Sequence, residues 1–409
     1  MSLKIFYKIK SCRICKSKSI FNFFNLGNQP LANDFKKNKN LKIPLSLMYC
    51  NNCKTVQTNV NVNKKKLFSK YVWVTSTSST ALNFRKKFYR EIIKRNNIKN
   101  PFIVEIASND GSFLYPFKQK GYKVLGVDPA SNIVKLAKKK IKIENLFFNY
   151  KNSIKIKKKY SSPHIIFARN VIAHVDNINS VIKGIYHLLD NEGFAAIEFH
   201  YAKEIQNKLQ YDSIYHEHIF YFTGITLCKI FKKYNLHPFD ASHSPISGGA
   251  LIIFFSKKKK TMSSRLKKIF LNEKKNKINS KLSWIEFKNR ALRHSKELYI
   301  LLSKLSKKND IVGYGASARS TTLINFSKIN QNIMKFIIDK NRMKVGKFTP
   351  GTKIKIIGYK SNINSLKGKY ILLLAWNFAK EIINDLKIKN FKGTIIQPLP
   401  NKIKIYDFK

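Results

Sequence analysis

Between residues 101 and 257 short apolar runs at 102–107, 123–128, 164–168, 194–199 and 250–255 are separated by ten or more residues of helical pattern, such as 178–189. Strand-length runs spaced by helices specify βαβ units, because parallel strands need a crossover and the usual crossover is a helix. The fold class is therefore α/β, built on a parallel sheet, with the last run read as an added edge strand. A second strand-glycine-helix pattern starts at Ile311-Val312-Gly313-Tyr314-Gly315-Ala316, with further strands at 335–339, 370–375 and 393–397. This makes another α/β domain. The Lys-rich stretch 257–277 reads as a linker. The helix after it sets Trp284, Phe287, Ala291, Leu298, Leu301 and Leu305 at near-helical spacing, a core-packing face.

The first 80 residues follow a different pattern. Cys12-x-x-Cys15 and Cys50-x-x-Cys53 supply four thiolates in two knuckles, the set that a tetrahedral structural zinc prefers. The 34 residues between the pairs exceed a compact ribbon, so structure must fold between the knuckles. With all four positions filled by protein, such a metal is structural rather than catalytic. Paired cysteines in a chain without a secretory leader pattern point to a reducing cytosol and to a cytoplasmic protein. Cys228 stands alone in an apolar helical pattern, as a core residue does. No stretch has the apolar length of a membrane span. The chain divides into a zinc module at 1–80, a middle domain at 81–257 and a C-terminal domain at 258–409, with a basic helical stretch at 81–97 leading into the middle domain.

The formal charge is +57, and such a surface invites a nucleic-acid partner. About ten of the 79 cationic residues are Arg, however, and the Lys excess is spread along the whole chain. Nucleic-acid sites favour the planar, bidentate guanidinium. The Lys excess reads as solvated surface, and no nucleic-acid partner is expected.

At the first strand of the middle domain, Glu105-Ile106-Ala107-Ser108-Asn109-Asp110-Gly111 leads from an apolar run into a small-residue turn and a helix. Gly111 permits close backbone approach to a ligand, and a helix start offers free N–H groups. About 20 residues further on, Leu125-Gly126-Val127-Asp128 ends a strand in a carboxylate, where α/β nucleotide sites hold a ribose. Glu105, Asp110 and Asp128 concentrate acid in a chain with only 22 Asp and Glu. S-adenosylmethionine, with a sulfonium, an ammonium and no phosphate, suits such a mouth better than a dinucleotide. Arg169, Asn170 and His174 follow the run at 164–168 and flank the same cleft.

Tyr211-Asp212-Ser213-Ile214-Tyr215-His216-Glu217-His218 packs two imidazoles, acids and phenols into eight residues. Methylating carbon needs a base beside a carbonyl and a donor for the enolate oxygen, roles that His and Tyr fill near neutral pH. On the residues alone, the cluster fits catalysis, a second metal site or a hydrogen-bonded turn. Likewise Gly313-Tyr314-Gly315-Ala316-Ser317-Ala318-Arg319, with Asp339 closing the next strand, fits a phosphate loop or a nucleotide fold kept as scaffold.

Taken in order, Cys-x-x-Cys, Gly-x-Gln-Pro-Leu-Ala-Asn, Cys-x-x-Cys, Glu-Ile-x-Ser-Asn-Asp-Gly, Tyr-His-Glu-His, Gly-Tyr-Gly-Ala and Pro-Gly-Thr resemble the three-domain C-methyltransferases of deoxysugar biosynthesis. These zinc-containing enzymes use S-adenosylmethionine to methylate carbon 3 of nucleotide-linked 4-keto-6-deoxy sugars. The resemblance runs from Cys12 to about residue 400. It implies a class I methyltransferase, Rossmann-like middle domain whose cofactor site includes Glu105, Ala107, Asn109, Asp110, Gly111, Asp128, Arg169, Asn170 and His174. It also implies His218 as base, Glu217 as its electrostatic partner and Tyr215 near the sugar carbonyl. A tyrosine from the segment after the zinc module enters the family's site. Here Lys70-Tyr71-Val72-Trp73 matches that region, with Tyr71 the candidate. The Rossmann-like C-terminal domain is expected to enclose the nucleotide-sugar substrate rather than a dinucleotide, with 344–352 and 376–378 lining that cleft.

Two departures concern the substrate. Ser247-Gly248-Gly249-Ala250 stands where the family commonly has His-Gly-Gly-Ser, and Ala81-Leu82-Asn83-Phe84 lacks a histidine often found there. A zinc-containing RNA methyltransferase and a nucleotide-binding protein without chemistry are the competing functions.

Overall fold

The computed structural model describes residues 5–35, 40–137, 141–359, 366 and 368–408. In the first module β1 (Phe6–Lys8) pairs with β5 (Val60–Val62), while β2 (Ile20–Pro30), β3 (Lys42–Cys50) and β4 (Val56–Thr58) form an antiparallel sheet. The hairpin β2–β3 is the structure that the long inter-knuckle segment requires. A further strand, β11 (Phe220–Tyr221), joins this sheet from the middle of the chain, with Phe220 opposite Gln57. The module is thereby stitched to the chain two residues beyond His218.

The middle domain contains β6 (Ile103–Ile106), β7 (Val124–Val127), β8 (Ile143–Glu144), β9 (Ile165–Arg169), β10 (Phe194–His200), β12 (His237–Ser244) and β13 (Ala250–Ser256). Their order is β12-β13-β10-β9-β6-β7-β8, parallel from β10 through β8, with β13 antiparallel to both neighbours. The order reverses between β6 and β9, which opens a crevice at their carboxyl ends. The helix Ser79–Ile93 buries Phe84, Phe88 and Ile92 on one face of the sheet. The helix Ile178–Leu188, capped by Asn177, buries Val181, Ile182, Ile185 and Leu188 on the other.

Two sequence expectations need correction. The run at 250–255 is not an edge strand: β12 pairs outside it, and the alternating polar composition of His237–Ser244 hid that strand. The Lys-rich stretch is not a free linker either. Ser263 caps the helix Ser264–Lys275, whose Glu273 is buried and accepts hydrogen bonds from the Gly224 and Ile225 N–H groups and the Tyr201 hydroxyl. Its lysines are the solvated face of a packed helix.

The C-terminal sheet contains β14 (Ile311–Tyr314), β15 (Phe336–Asp339), β16 (Lys355–Gly358), β17 (Tyr370–Leu373), β18 (Gly393–Gln397) and β19 (Lys404–Phe408). They run in the order β16-β15-β14-β17-β18-β19, parallel except for β19. Trp284, Phe287, Ala291 and Leu298 of the helix Lys281–Leu305 are buried, as the near-helical spacing predicts, while Leu301 and Leu305 are only partly buried and Leu302 takes the core position beside them. They share one apolar cluster with Phe24 and Leu47 of the first module, Tyr211 and Ile214 of the middle domain and Leu323 of the C-terminal domain. Among the described residues no helix is long and apolar enough to cross a membrane.

Candidate active site and zinc centre

The four cysteines of the knuckles converge. Cys12 and Cys53 sulfurs lie 3.6 Å apart, Cys15 and Cys50 3.5 Å apart, and all four fall within 4.8 Å of one another. Zn–S bonds of about 2.3 Å at tetrahedral angles place sulfurs just under 4 Å apart, so the spacing fits zinc and is far too long for disulfides. Gln57, fully buried, donates to Cys12 Sγ at 3.1 Å and stabilises that thiolate. Among the described residues no other three His, Cys, Asp or Glu ligands cluster this way, which removes the second-metal reading of residues 211–218.

The cofactor candidates meet at the carboxyl ends of β6 and β7. Ala107, Asn109 and Gly111 all have positive φ (55°, 51° and 75°), and this twisted turn is tied by its own N–H groups, Ser108 to the Val127 carbonyl and Gly111 to the Ser108 carbonyl. Asp128 accepts from the Asn109 and Ala130 N–H groups, both at 2.8 Å, so it anchors the turn and keeps one lone pair on each oxygen. Buried Glu105 has an Oε2 without a partner among the described residues. Burial, then the nearby carboxylates of Asp110, Asp128 and Glu198, push its carboxyl well above the usual range, with Arg169 opposing. An acid of this kind gains from a cationic neighbour, and a ligand carrying a sulfonium and an ammonium supplies one. The pocket residues therefore fit S-adenosylmethionine.

Arg169 Nε pairs with Glu198 at 2.7 Å, and its guanidinium lies 3.2 Å from the centre of the Phe113 ring. Asn170 (φ 50°) and His174 remain at the rim, with the His174 ring edge-on to His218 at 4.7 Å between centroids.

Segment 69–76 lies across the cofactor turn. Thr75 N–H and hydroxyl donate to Asn109 Oδ1, Asn109 Nδ2 donates to the Trp73 carbonyl, and Ser76 N–H donates to Asp110 Oδ2. Asn132 pairs with both backbone groups of Tyr71. The Tyr71 hydroxyl thereby reaches Glu217, whereas Trp73 is 40% exposed.

The segment 211–218 brings its own pair together. His218 Nδ1 lies 2.8 Å from the Ser213 carbonyl, which can only accept, so Nδ1 carries the proton. Nε2 is then the free lone pair, and it accepts the Tyr215 hydroxyl at 2.7 Å. Burial first, then His174 and His200, hold the His218 imidazole well below its ordinary pKa, so it is neutral at pH 7. Glu217 receives Asn33 Nδ2 at 2.9 Å on both oxygens, and burial pushes it up to about 7 against the pull of Asn33 and Tyr71. His216 instead turns to the Ile43 carbonyl at 3.2 Å and belongs to the module interface.

Sequence reasoning missed Asn33, His200, Gln210 and Arg319. Asn33 lies inside the quoted Gly-x-Gln-Pro-Leu-Ala-Asn motif, but its partner is 184 positions away. His200, at the carboxyl end of β10, donates Nε2–H to Gln210 Oε1 at 2.7 Å and stands 6.0 Å from the His218 ring. The loop after β14 is tied to the end of β15. Asp339 accepts the Ala316 and Asn341 N–H groups, and buried Lys344 donates to the Ala316 carbonyl. Lys344 and Trp376 are buried, whereas 345–347 are exposed and Asn377 and Phe378 half-buried.

Three family comparisons partition the chain in order: a zinc binding domain at residues 12–68, a methyltransferase domain at 82–239 and a C-methyltransferase C-terminal domain at 245–400. The chain is 26% identical over 403 residues to the C-methyltransferase NovU of Streptomyces niveus, covering 96% of each protein. Solved structures of lower similarity include the Pyrococcus horikoshii protein PH0226 (14% identity, 48% of this chain and 98% of that one, TM-score 0.35). Another is magnesium protoporphyrin IX methyltransferase of Synechocystis with bound S-adenosylmethionine (11%, 42% and 78%, TM-score 0.33).

Proposed function

Since zinc-binding, methyltransferase and C-methyltransferase C-terminal models match the chain in order and support an S-adenosylmethionine-dependent C-methyltransferase, we propose that its acceptor is a nucleotide-linked 4-keto-deoxy sugar, methylated at the carbon next to the ketone. The observation that carries this reading is the Tyr215–His218 pair: a neutral imidazole with its tautomer fixed, its lone pair capped by a phenol that can change partner. When the ketone oxygen takes over the Tyr215 hydrogen bond, the carbonyl is polarised and Nε2 is released in the same event. His218 then removes the acidic C–H proton, and Tyr215 continues to donate to the enolate oxygen. S-adenosylmethionine, when bound, supplies an electrophilic methyl that the enolate carbon takes in a single displacement.

Glu217, held by Asn33 and ionised above about pH 7, accepts the Tyr71 hydroxyl and takes the role of electrostatic partner to His218. Glu105, Asn109, Asp110 and Asp128 bind and orient the methyl donor. Segment 69–76 excludes water, and part of the acceleration is positional, on the order of 7–11 kcal/mol for well-oriented reactants. On this reading the partner is a small molecule rather than RNA, and cysteine pairs gathered for zinc rather than joined as disulfides fit a reducing compartment.

The test is to offer the zinc-loaded enzyme labelled S-adenosylmethionine with a panel of 4-keto-deoxy nucleotide sugars and, in parallel, RNA. Label retained on a sugar carbon supports the reading; label on RNA alone overturns it.

A further inference from the structure

Arg319 lies in the first turn of the helix Ala318–Phe326 of the C-terminal domain, yet its guanidinium reaches the middle domain. Nε and Nη2 grip the two oxygens of fully buried Asp212 at 2.9 and 2.7 Å. Nη2 also donates to Gln210 Oε1 at 3.1 Å, and Nη1 donates to the Ser247 carbonyl at 2.8 Å. Trp376, from the same domain, lies over the guanidinium at 4.7 Å and donates Nε1–H to Asp212 Oδ2 at 2.7 Å.

Each target bears on the candidate reaction centre. Asp212 precedes Ser213, whose carbonyl fixes the His218 Nδ1 proton. Gln210 fixes the His200 ring. Ser247, at φ 57°, leads into Gly248, where a Cβ would sit 3.1 Å from both Trp376 and Gln210. A buried ion pair adds little net stability but is costly to break, and a bidentate fork fixes direction as well as distance. Placement is what such a contact provides.

We propose that Arg319 is a positioning residue: by holding Asp212 and Gln210 it sets the Ser213 carbonyl, and with it the tautomer and ring orientation of His218, so that the C-terminal domain completes the reaction centre of the middle domain. The inference rests on His218 being the base.

Hydrogen exchange and kinetics on the zinc-loaded Arg319→Ala protein test it. Exchange in the peptide spanning 210–218 is expected to rise at least tenfold while that spanning 165–171 is unchanged. kcat is expected to fall at least 100-fold with S-adenosylmethionine affinity within threefold. Guanidinium ion should restore at least tenfold of the lost rate, and Arg319→Lys should not, because an ammonium cannot span both carboxylate oxygens. Unchanged exchange at 210–218, or a rate loss that guanidinium does not relieve, overturns the proposal. If Arg319→Ala does not fold, Trp376→Phe keeps the ion pair and removes one N–H. A loss of several-fold confined to kcat then supports the proposal, and an unaltered kcat overturns it. Should the wild-type protein prove inactive on keto sugars, the substrate reading fails while the exchange data still decide the positioning role.

Discussion

At the scale of single residues, the proposed mechanism turns on two hydroxyl-to-base contacts, Tyr215 with His218 and Tyr71 with Glu217. Their titrations separate. His218 is held neutral far below pH 7, so its protonation does not limit activity near neutrality. Glu217, pushed up to about 7, is lost as a carboxylate when pH falls through that value. The acid limb of kcat/KM is therefore expected near pH 7, falling about tenfold per pH unit below it, and Glu217→Gln should flatten that limb while lowering the plateau. A wild-type limb near pH 5 would contradict the assignment. His218→Ala should lower methyl transfer by about 10²–10⁴-fold, the usual contribution of a general base, with S-adenosylmethionine affinity unchanged by calorimetry.

At the scale of elements, the parallel strands were legible because buried strands read as continuous apolar runs, as Ile103–Ile106 and Ile165–Arg169 do. The strand His237–Ser244 was not, since its pattern mixes His, Asp and Ser, and β11 is only two residues long. The cysteine knuckles and the Tyr-His-Glu-His cluster were legible because their chemistry is local in sequence. Asn33, Gln210 and Arg319 were not, because polar contacts to distant partners have no period. Gly126 illustrates an element-level constraint: a Cβ there would lie 2.4 Å from Ser108 Oγ, in the cofactor turn. Gly126→Ala is expected to cost roughly 1–3 kcal/mol of stability in urea titrations and to weaken S-adenosylmethionine binding. For the zinc module, metal-binding free energy on the order of 10 kcal/mol is also folding free energy. Chelation should raise exchange in β2–β4 and, through the Gln57–Phe220 pairing, in β11 as well. Chelation that leaves β11 protected would break that link.

At the scale of the whole molecule, one apolar cluster joins all three parts of the chain, and the active-site segment lies at their junction. A fragment ending at residue 257 would bare Phe24, Leu47, Tyr211 and Ile214 and is expected to fail to accumulate as folded protein, as circular dichroism and sedimentation would report. The formal charge of +57 is spread along the sequence. A protein neutralising 6–10 phosphates loses about 10³–10⁵ in affinity between 50 and 200 mM salt, and turnover on the sugar should show no such slope. The most direct test of the central claim, carbon methylation through an enolate formed by His218, is hydrogen exchange at the carbon beside the ketone. In deuterated water with the demethylated cofactor product bound, the wild-type protein should wash deuterium into that position of the keto sugar, and His218→Ala should not. Exchange at equal rates in both proteins, or in neither, would contradict the account.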